Sequence, residues 1–462
     1  MTAPSPPPPG AAIEAAPAAA LAALCQAERR DGPLPLDRRA ALLDALAAML
    51  LREADSIAAA VDADFGGRSI EETLLADVKL VVDAARGSRR RLRRWARPRR
   101  VGVPFAFWPA RAAVEPVPKG VIGIMAPWNY PVQLLLLPTV DAIAAGNRVA
   151  LKPSEAVPGT AALLAALLPA ALGEDVARVV TGGPEMAAAF AAQPWDHLVF
   201  TGGTATGVKV MRAAAEHLVP VTLELGGKCP VVVLPGADLA QAVRAILAGK
   251  AINAGQTCVA PDTVLLVGQD RDAFVAACRG AGLAVPETAV VNERQAARLD
   301  ALCAGAALTP LGPSSDATRR RALALAEAPP GHALHAGEIF GPVLALQPCA
   351  TLGDAIAWIT ARPAPLAIYL FGATAEEERA VAARTRSGAI VHGRCVEYAA
   401  FTGLPFGGVG ASGFGRRNGE AGFLEFSSLR ARVRDGGRFS PARLLDPPRS
   451  DRARALVRRL LR

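Results

Sequence analysis

Between residues 38 and 61 the apolar positions Leu42, Leu43, Leu46, Met49 and Leu50 recur at helical spacing, which predicts an amphipathic helix. Ser69, followed three positions later by Glu72, is a capping-box signal for a second helix running toward Ala85; its Arg-rich continuation ends at Pro98. From 101 to 117 the alternation is loose and is interrupted by Pro104, Pro109 and Pro116, so edge-type hairpin strands are expected. From Gly120 the rhythm becomes strand, loop, helix. Short apolar runs at 120–126, 148–151, 176–180, 197–200 and 219–225 alternate with helical stretches such as 159–172 and 204–216. This predicts a parallel sheet with helices on both faces. A second alternating block starts at Gly226, with strands at 230–234 and 263–267. Periodicity is weakest over 270–336, where Pro/Gly-rich patches fall at 309–313 and 329–331. Residues 1–12 read as a disordered tail. At the other end, Ala453, Leu456, Val457, Leu460 and Leu461 share one helical face, opposite arginines.

A chain of 462 residues with 52% hydrophobic and 20% charged positions is a globular protein of two or three domains. The most apolar window, 132–151, is broken by Gln133, Pro138, Asp141 and Arg148, so no transmembrane segment is expected. No signal peptide is apparent at the N-terminus. The seven cysteines are scattered, odd in number and without a CxxC spacing. This argues for a reducing compartment, so a cytoplasmic location, and against a disulfide framework. Five histidines without paired spacing point to no metal. The net charge of +9 comes mostly from arginine, concentrated at 89–100 and 452–462. Aromatics are only 5% and no nucleic-acid motif is present, so solvated arginine faces are expected and no nucleic-acid partner.

Candidate chemistry centres on 219–259. Glu224 ends an apolar run and is followed by Gly226-Gly227; Cys258 follows Gly255-Gln256-Thr257. A thiol is a nucleophile as its thiolate, and an acyl-thiol adduct needs a base to deliver water. A strand-end carboxylate and a loop cysteine can supply both parts, although the spacing alone is not specific. Asn129, within Pro127-Trp128-Asn129-Tyr130-Pro131, can donate to a developing oxyanion or simply build a turn. Lys152 and Glu155 follow a strand directly, where they are placed to bind ribose hydroxyls. Gly202, Gly203, Thr204 and Gly207 close a strand and open a helix, a setting that favours pyrophosphate without being a GxGxxG fingerprint.

The phrases ELGGK, GQTC, PWNYP and KPSE, with the longer FTGGTATGVKVMRAAAEHLVPVTLELGGK and KAINAGQTCVAP, resemble the aldehyde dehydrogenase superfamily, most of all its class 3 branch near the coniferyl aldehyde dehydrogenases. The likeness runs from about residue 38 to 430. It implies an α/β fold with a Rossmann-like parallel-sheet cofactor domain (13–97 and 119–225), a dimerisation hairpin (98–118), a second α/β catalytic domain (226–430) and a C-terminal tail (431–462). It implies NAD, with NADP possible, an aldehyde substrate that is aromatic or medium-chain, and a homodimer. By the same resemblance Cys258 is the nucleophile, Glu224 the hydrolytic base and Asn129 an oxyanion donor. Lys152 and Glu155 form the adenosine-ribose site. Glu338 and Phe340, in EIFGP, hold the nicotinamide ribose and pack near the ring. The chain departs from the family where Gly203 replaces a usual Ser, which keeps the backbone N–H and loses a hydroxyl. It departs again at His392, where relatives usually carry Asn.

Overall fold

Two parallel sheets carry the molecule, and each is built from the short apolar runs that alternate with helices. A computed structural model describes residues 9–282, 286–314, 319–437, 443 and 446–460. The first sheet has six strands in the order Gly413–Phe414, Val221–Leu225, His197–Gly202, Val121–Met125, Arg148–Lys152 and Ala177–Val179. Every pair is parallel except the first, where Gly413 lies antiparallel opposite Glu224. Val121–Met125 and Arg148–Lys152 are buried along their whole length, as strands covered on both faces must be. The chain steps outward from Val121–Met125 to Ala177–Val179 and then crosses back to His197–Gly202 on the other side. The strand order therefore reverses beside Val121–Met125, and a crevice opens at the carboxyl ends of the strands there.

The second sheet has seven strands in the order Ala307–Pro310, Ala324–Glu327, Val343–Cys349, Thr263–Val267, Pro230–Val233, Ala367–Phe371 and Ala389–His392. Only the first pair is antiparallel. That edge pair comes from the weakly periodic 270–336 segment; residues 283–285 and 315–318 of the segment lie outside the described residues. Ala307–Pro310 is largely exposed, so it lacks the apolar run that marks the inner strands.

A third, antiparallel sheet joins Arg99–Val101, Arg111–Pro118 and Ser427–Arg434. Its last strand pairs along the full length of Arg111–Pro118, from Ser427 opposite Pro118 to Arg434 opposite Arg111. Residues 413–434 thus return to the first sheet and the hairpin, and the last strand runs across the 430/431 boundary expected for a tail. The C-terminal helix, Asp451–Leu460, buries Ala453 and leaves Leu456 40% exposed; Leu461 lies outside the described residues. No helix among the described residues is long and apolar enough to cross a membrane.

Three helical expectations are corrected. The helix expected over 38–61 is two helices, Leu36–Arg52 and Ala54–Phe65, which meet at Glu53. Residues from Pro9 onward are helical, to Asp31, in place of the expected tail; residues 1–8 lie outside the described residues. The capping box is half formed. The Ser69 hydroxyl accepts from the Glu72 N–H at 3.4 Å, but the Glu72 carboxylate turns away to accept from the Asn253 N–H and the Thr288 hydroxyl. Beyond this cap the chain winds one π-helical stretch, Thr73–Lys79, before the long helix Leu80–Trp95. A π-turn shifts the helical face, and here it carries Asp77 fully inward.

Candidate active site

The loop that carries Cys258, the candidate nucleophile, is folded by backbone geometry that few residues tolerate. Asn253, Ala254 and Gly255 all have left-handed φ, at 50°, 50° and 70°. Asn adopts this region because its side chain bonds locally: the Asn253 amide donates to the Asn129 and Gln256 carbonyls at 2.8 and 3.1 Å. A Cβ on Gly255 would stand 2.3 Å from the Gly341 carbonyl, so no other residue fits. Gln256 spends its whole side chain on the fold, donating to the Asn253 and Ala289 carbonyls and accepting from the Val291 N–H. The Thr257 hydroxyl bonds the Tyr130 hydroxyl at 2.8 Å. Cys258, half-buried, follows this stapled turn.

Asn129 is held from below. Its carbonyl accepts from the Arg68 guanidinium at 2.7 Å and from Asn253, and its side-chain amide donates to the Gln256 carbonyl at 3.0 Å. Arg68 pairs with Asp77 at 2.9 Å, both side chains fully buried, and lies over the Tyr130 ring. Asp77 also accepts from the Val132 and Gln133 N–H groups at 3.0 and 2.9 Å. These are orphan donors at the start of the helix Gln133–Ala145, so one carboxylate caps that helix and anchors the arginine beneath the Asn129 loop.

Three acidic groups face the same crevice, and burial raises the proton affinity of each. Glu224, 3% exposed, is pushed up to about 7 by desolvation, with Arg417 opposing. Glu338 is pushed up to about 8 by desolvation and by Asp262, against Lys250 and Arg298, and it accepts a hydrogen bond from the Gly227 backbone. The Cys258 thiol is pushed up to about 12 by desolvation, Glu338 and Glu224. A Cβ on Gly226 would stand 2.1 Å from Glu338 Oε2, so this glycine is what lets that carboxylate approach. Glu224 Oε1 accepts from Arg417 Nε at 3.3 Å. Cys229, fully buried, donates weakly to the Cys258 carbonyl, and its thiol is pushed well up by burial, so it packs against the Cys258 loop as a small buried side chain.

At the far end of the crevice lie groups suited to a dinucleotide. The helix Thr204–Ala215 begins with Gly203 as its cap, and no side chain satisfies its first N–H groups. A Cβ at Gly203 would meet nothing within 4 Å, so the approach to that terminus is open. Lys152 ends its strand buried; its ammonium donates to the Pro153 carbonyl at 3.0 Å and lies 3.7 Å from Glu155. An uncapped helix N-terminus with free space before it, next to a buried lysine and a carboxylate, fits a pyrophosphate and an adenosine ribose.

All of this borders one cleft of about 740 Å³. Cys258, Glu224, Asn129, Lys152, Glu155, Gly202, Gly203, Glu338 and Phe340 line it. Thr204 and Gly207 do not. The Thr204 hydroxyl donates to the Ala411 carbonyl at 3.3 Å, and Gly207 packs against Leu225, with no room for a Cβ. His392 stands at an edge strand 3.6 Å from Glu378 and is not among the cleft residues. Sequence reasoning missed Trp128, which meets Phe340 edge-on at 5.5 Å, and Arg294, Gln295 and Arg298 from the helix Glu293–Cys303. It also missed Arg417 and the Arg68–Asp77 pair. Trp128 lies inside the 127–131 phrase but meets its partner Phe340 only in the fold, and no local motif marks the others, which act through distant contacts or sit on a helix inside the weakly periodic segment. Among the described residues no group of His, Cys, Asp and Glu is arranged to hold a metal.

Residues 9–431 match the model of the aldehyde dehydrogenase family. The chain is 40% identical over 442 residues to a probable coniferyl aldehyde dehydrogenase of Pseudomonas aeruginosa, covering 93% of each. It is 41% identical over 427 residues to a coniferyl aldehyde dehydrogenase of a Pseudomonas species, covering 88% of each. It is also 39% identical over 351 residues to the rat aldehyde dehydrogenase family 3 member A2, covering 74% of this chain and 72% of that one. Among solved structures, the substrate-bound AldH of Staphylococcus aureus superposes with a TM-score of 0.87 at 30% identity, covering 91% of this chain and 94% of that one. A Mycobacterium tuberculosis aldehyde dehydrogenase complexed with NAD+ gives 0.82 at 29% identity, covering 93% and 91%. With an α/β fold of this kind, a family match along most of its length and relatives of 40% identity, the chain belongs to the aldehyde dehydrogenase family of NAD(P)-dependent oxidoreductases.

Proposed function

We propose that the protein oxidises an aldehyde to the carboxylic acid through a covalent adduct on Cys258. The observation that carries this reading is the convergence of Cys258, Asn129, Glu224 and Glu338 on one cleft whose other end is the uncapped terminus of Thr204–Ala215. Cys258 Sγ attacks the carbonyl carbon and forms a thiohemiacetal. Burial holds the thiol protonated at neutral pH, and its proton passes to water in the cleft as the S–C bond forms, which leaves the Glu224 carboxylate unprotonated for the later step. The Asn129 side-chain amide, oriented by its bond to the Gln256 carbonyl, donates a second N–H to the oxyanion. Bound NAD(P) would supply the hydride acceptor, and loss of hydride from the adduct carbon would leave a thioester on Cys258. Glu224 then takes a proton from water, whose oxygen attacks the thioester; the acid leaves and the thiol is restored.

Lys152 and Glu155 hold the adenosine ribose, Gly202 and Gly203 admit the pyrophosphate, and Glu338 holds the nicotinamide ribose beside Phe340. Thr204 and Gly207 serve this end only by shaping the helix start. Glu155 favours NAD over NADP by repelling a 2′-phosphate. Residues 13–97 and 119–225 form the cofactor half and 226–430 the catalytic half, with 413–434 packed back on the former. Trp128 and Phe340 give the cleft an aromatic wall, and the similarity to coniferyl aldehyde dehydrogenases supports an aromatic aldehyde as substrate. The hairpin sheet, with Val433 74% and Leu429 55% exposed, supports a homodimer.

The experiment is rapid-mixing absorbance of NADH. Cys258→Ala abolishes NADH formation while still binding NAD. Glu224→Gln keeps a first burst close to one NADH per active site and loses steady turnover. A Cys258→Ala protein that still oxidises aldehyde refutes the mechanism. Normal steady turnover in Glu224→Gln removes Glu224 as the base.

A further inference from the structure

Arg417 is the one buried guanidinium in contact with the carboxylate assigned above as the base. Arg417 and Glu224 side chains are 2% and 3% exposed, and Nε stands 3.3 Å from Oε1. The pair is asymmetric. Glu224 Oε2 and Arg417 Nη1 are both buried without a protein partner among the described residues. The arginine itself cannot swing away. Its backbone exchanges two hydrogen bonds with Phe406, at 2.8 and 3.0 Å, and its guanidinium lies 5.2 Å over the Phe406 ring. The next residue, Asn418, has a left-handed φ of 72° and donates its N–H to buried Asp141 at 2.9 Å, which fixes the turn on the other side.

We propose that Arg417 is a positioning residue for the base: it draws one oxygen of Glu224 into a fixed pose and leaves the other free for a water. The proposal rests on Glu224 acting as the hydrolytic base. The charge balance around Glu224 explains why such a partner is needed. Burial drives the carboxyl toward its neutral form, and Glu425 adds negative charge nearby. Tyr398, stacked on Phe406, also faces the group. Arg416 gives more distant support, since its guanidinium is committed to the Gly408 and Gly415 carbonyls. Arg417 is therefore the main group that offsets desolvation, and with it the carboxyl sits at about 7. The same guanidinium also opposes the rise at Cys258 and at Asp141, which is held at about 7.

The test uses Arg417→Met, which keeps the bulk and removes the charge, and Arg417→Lys, which keeps the charge. NADH burst and steady rates are followed from pH 6 to 9.5, and thermal unfolding without cofactor over the same range. Arg417→Met should keep the burst amplitude. Its steady rate at pH 7 should fall about tenfold for each unit by which the midpoint of the acid limb moves up. Arg417→Lys should restore most of the native profile. Unfolding gives a reading independent of turnover. A carboxyl whose folded pKa is raised contributes stability below its unfolded value and loses it as pH rises through the folded value. Native protein completes that loss near 7; Arg417→Met should go on losing stability, relative to native, between pH 7 and 9. An acid limb at the native midpoint, or burst and steady rates that fall together at every pH, overturns the proposal. So does a pH dependence of unfolding identical to native. If Glu224→Gln turns over normally, the assignment of the base fails, while the unfolding profiles still report on the pair.

Discussion

Replacing Asp77 by alanine should show how much of this active site hangs on one buried carboxylate. The side chain is fully buried and has three partners: Arg68 at 2.9 Å and the Val132 and Gln133 N–H groups at 3.0 and 2.9 Å. Removing one partner of a buried ion pair costs about 3–5 kcal/mol, because the other charge stays buried. Each N–H left without an acceptor adds about 1 kcal/mol. Together these give a loss of about 5 kcal/mol or more. With an unfolding entropy of about 2.1 cal/mol/K per residue over 462 residues, roughly 1 kcal/mol/K, Tm should drop by about 5 °C or more. Calorimetry measures this directly. The double variant Arg68→Met with Asp77→Asn removes the buried charge and keeps an acceptor for the two N–H groups, so it should recover most of the lost Tm. It should not recover activity, because the Asn129 carbonyl then loses its Arg68 donor, and the rate of the NADH burst should stay low. An Asp77→Ala protein that melts within about 1 °C of native refutes the argument, as does a double variant as unstable as the single one.

Asn129→Ala should lower turnover by about 10²–10³, the usual loss for one oxyanion donor, with little change in NAD binding; unchanged turnover makes Asn129 only a turn residue. Glu155→Gln should raise the NADP/NAD ratio of kcat/KM about fivefold, the worth of one like charge removed at about 4 Å in high dielectric; a native protein that already favours NADP strongly contradicts the ribose assignment. Val433→Asp, on the outer strand of the hairpin sheet, should shift the protein from dimer to monomer in sedimentation, with its Tm close to that of an isolated protomer; an unchanged dimer places the contact elsewhere.

Most of the cleft was legible in the sequence because the groups that line it sit in short contiguous phrases. The loop after Val121–Met125, the end of Arg148–Lys152 and the turn before Thr204–Ala215 each combine a strand end with candidate site residues, and the Gly255–Cys258 turn follows the helix Leu239–Ala251. Alternation of apolar runs with helical stretches is a local property, and it was enough for five strands of the first sheet and two of the second. The strand Ser427–Arg434 was missed although Leu429, Ala431 and Val433 alternate with arginines, because its partner, Arg111–Pro118, lies some three hundred positions earlier. The joint between Leu36–Arg52 and Ala54–Phe65 was missed because apolar spacing continues through Glu53, and only packing against other helices reveals the change of axis.

What tertiary structure alone decided is the electrostatic state of the site. From sequence, Glu224 is a carboxylate at a strand end. Folding removes water from it, brings Arg417 from 193 positions away, and sets its proton affinity near neutrality. Glu72 looks like half of a local cap, yet the fold turns it to the nucleophile loop 181 positions on. Asp77 reads as one acid in a helix until a π-turn points it at Arg68 beneath Asn129. Residue type and spacing fix which chemical groups are available and on what kind of element. Desolvation and charge pairing depend on every group within a few ångströms, whatever its place in the chain, so only the folded protein sets them.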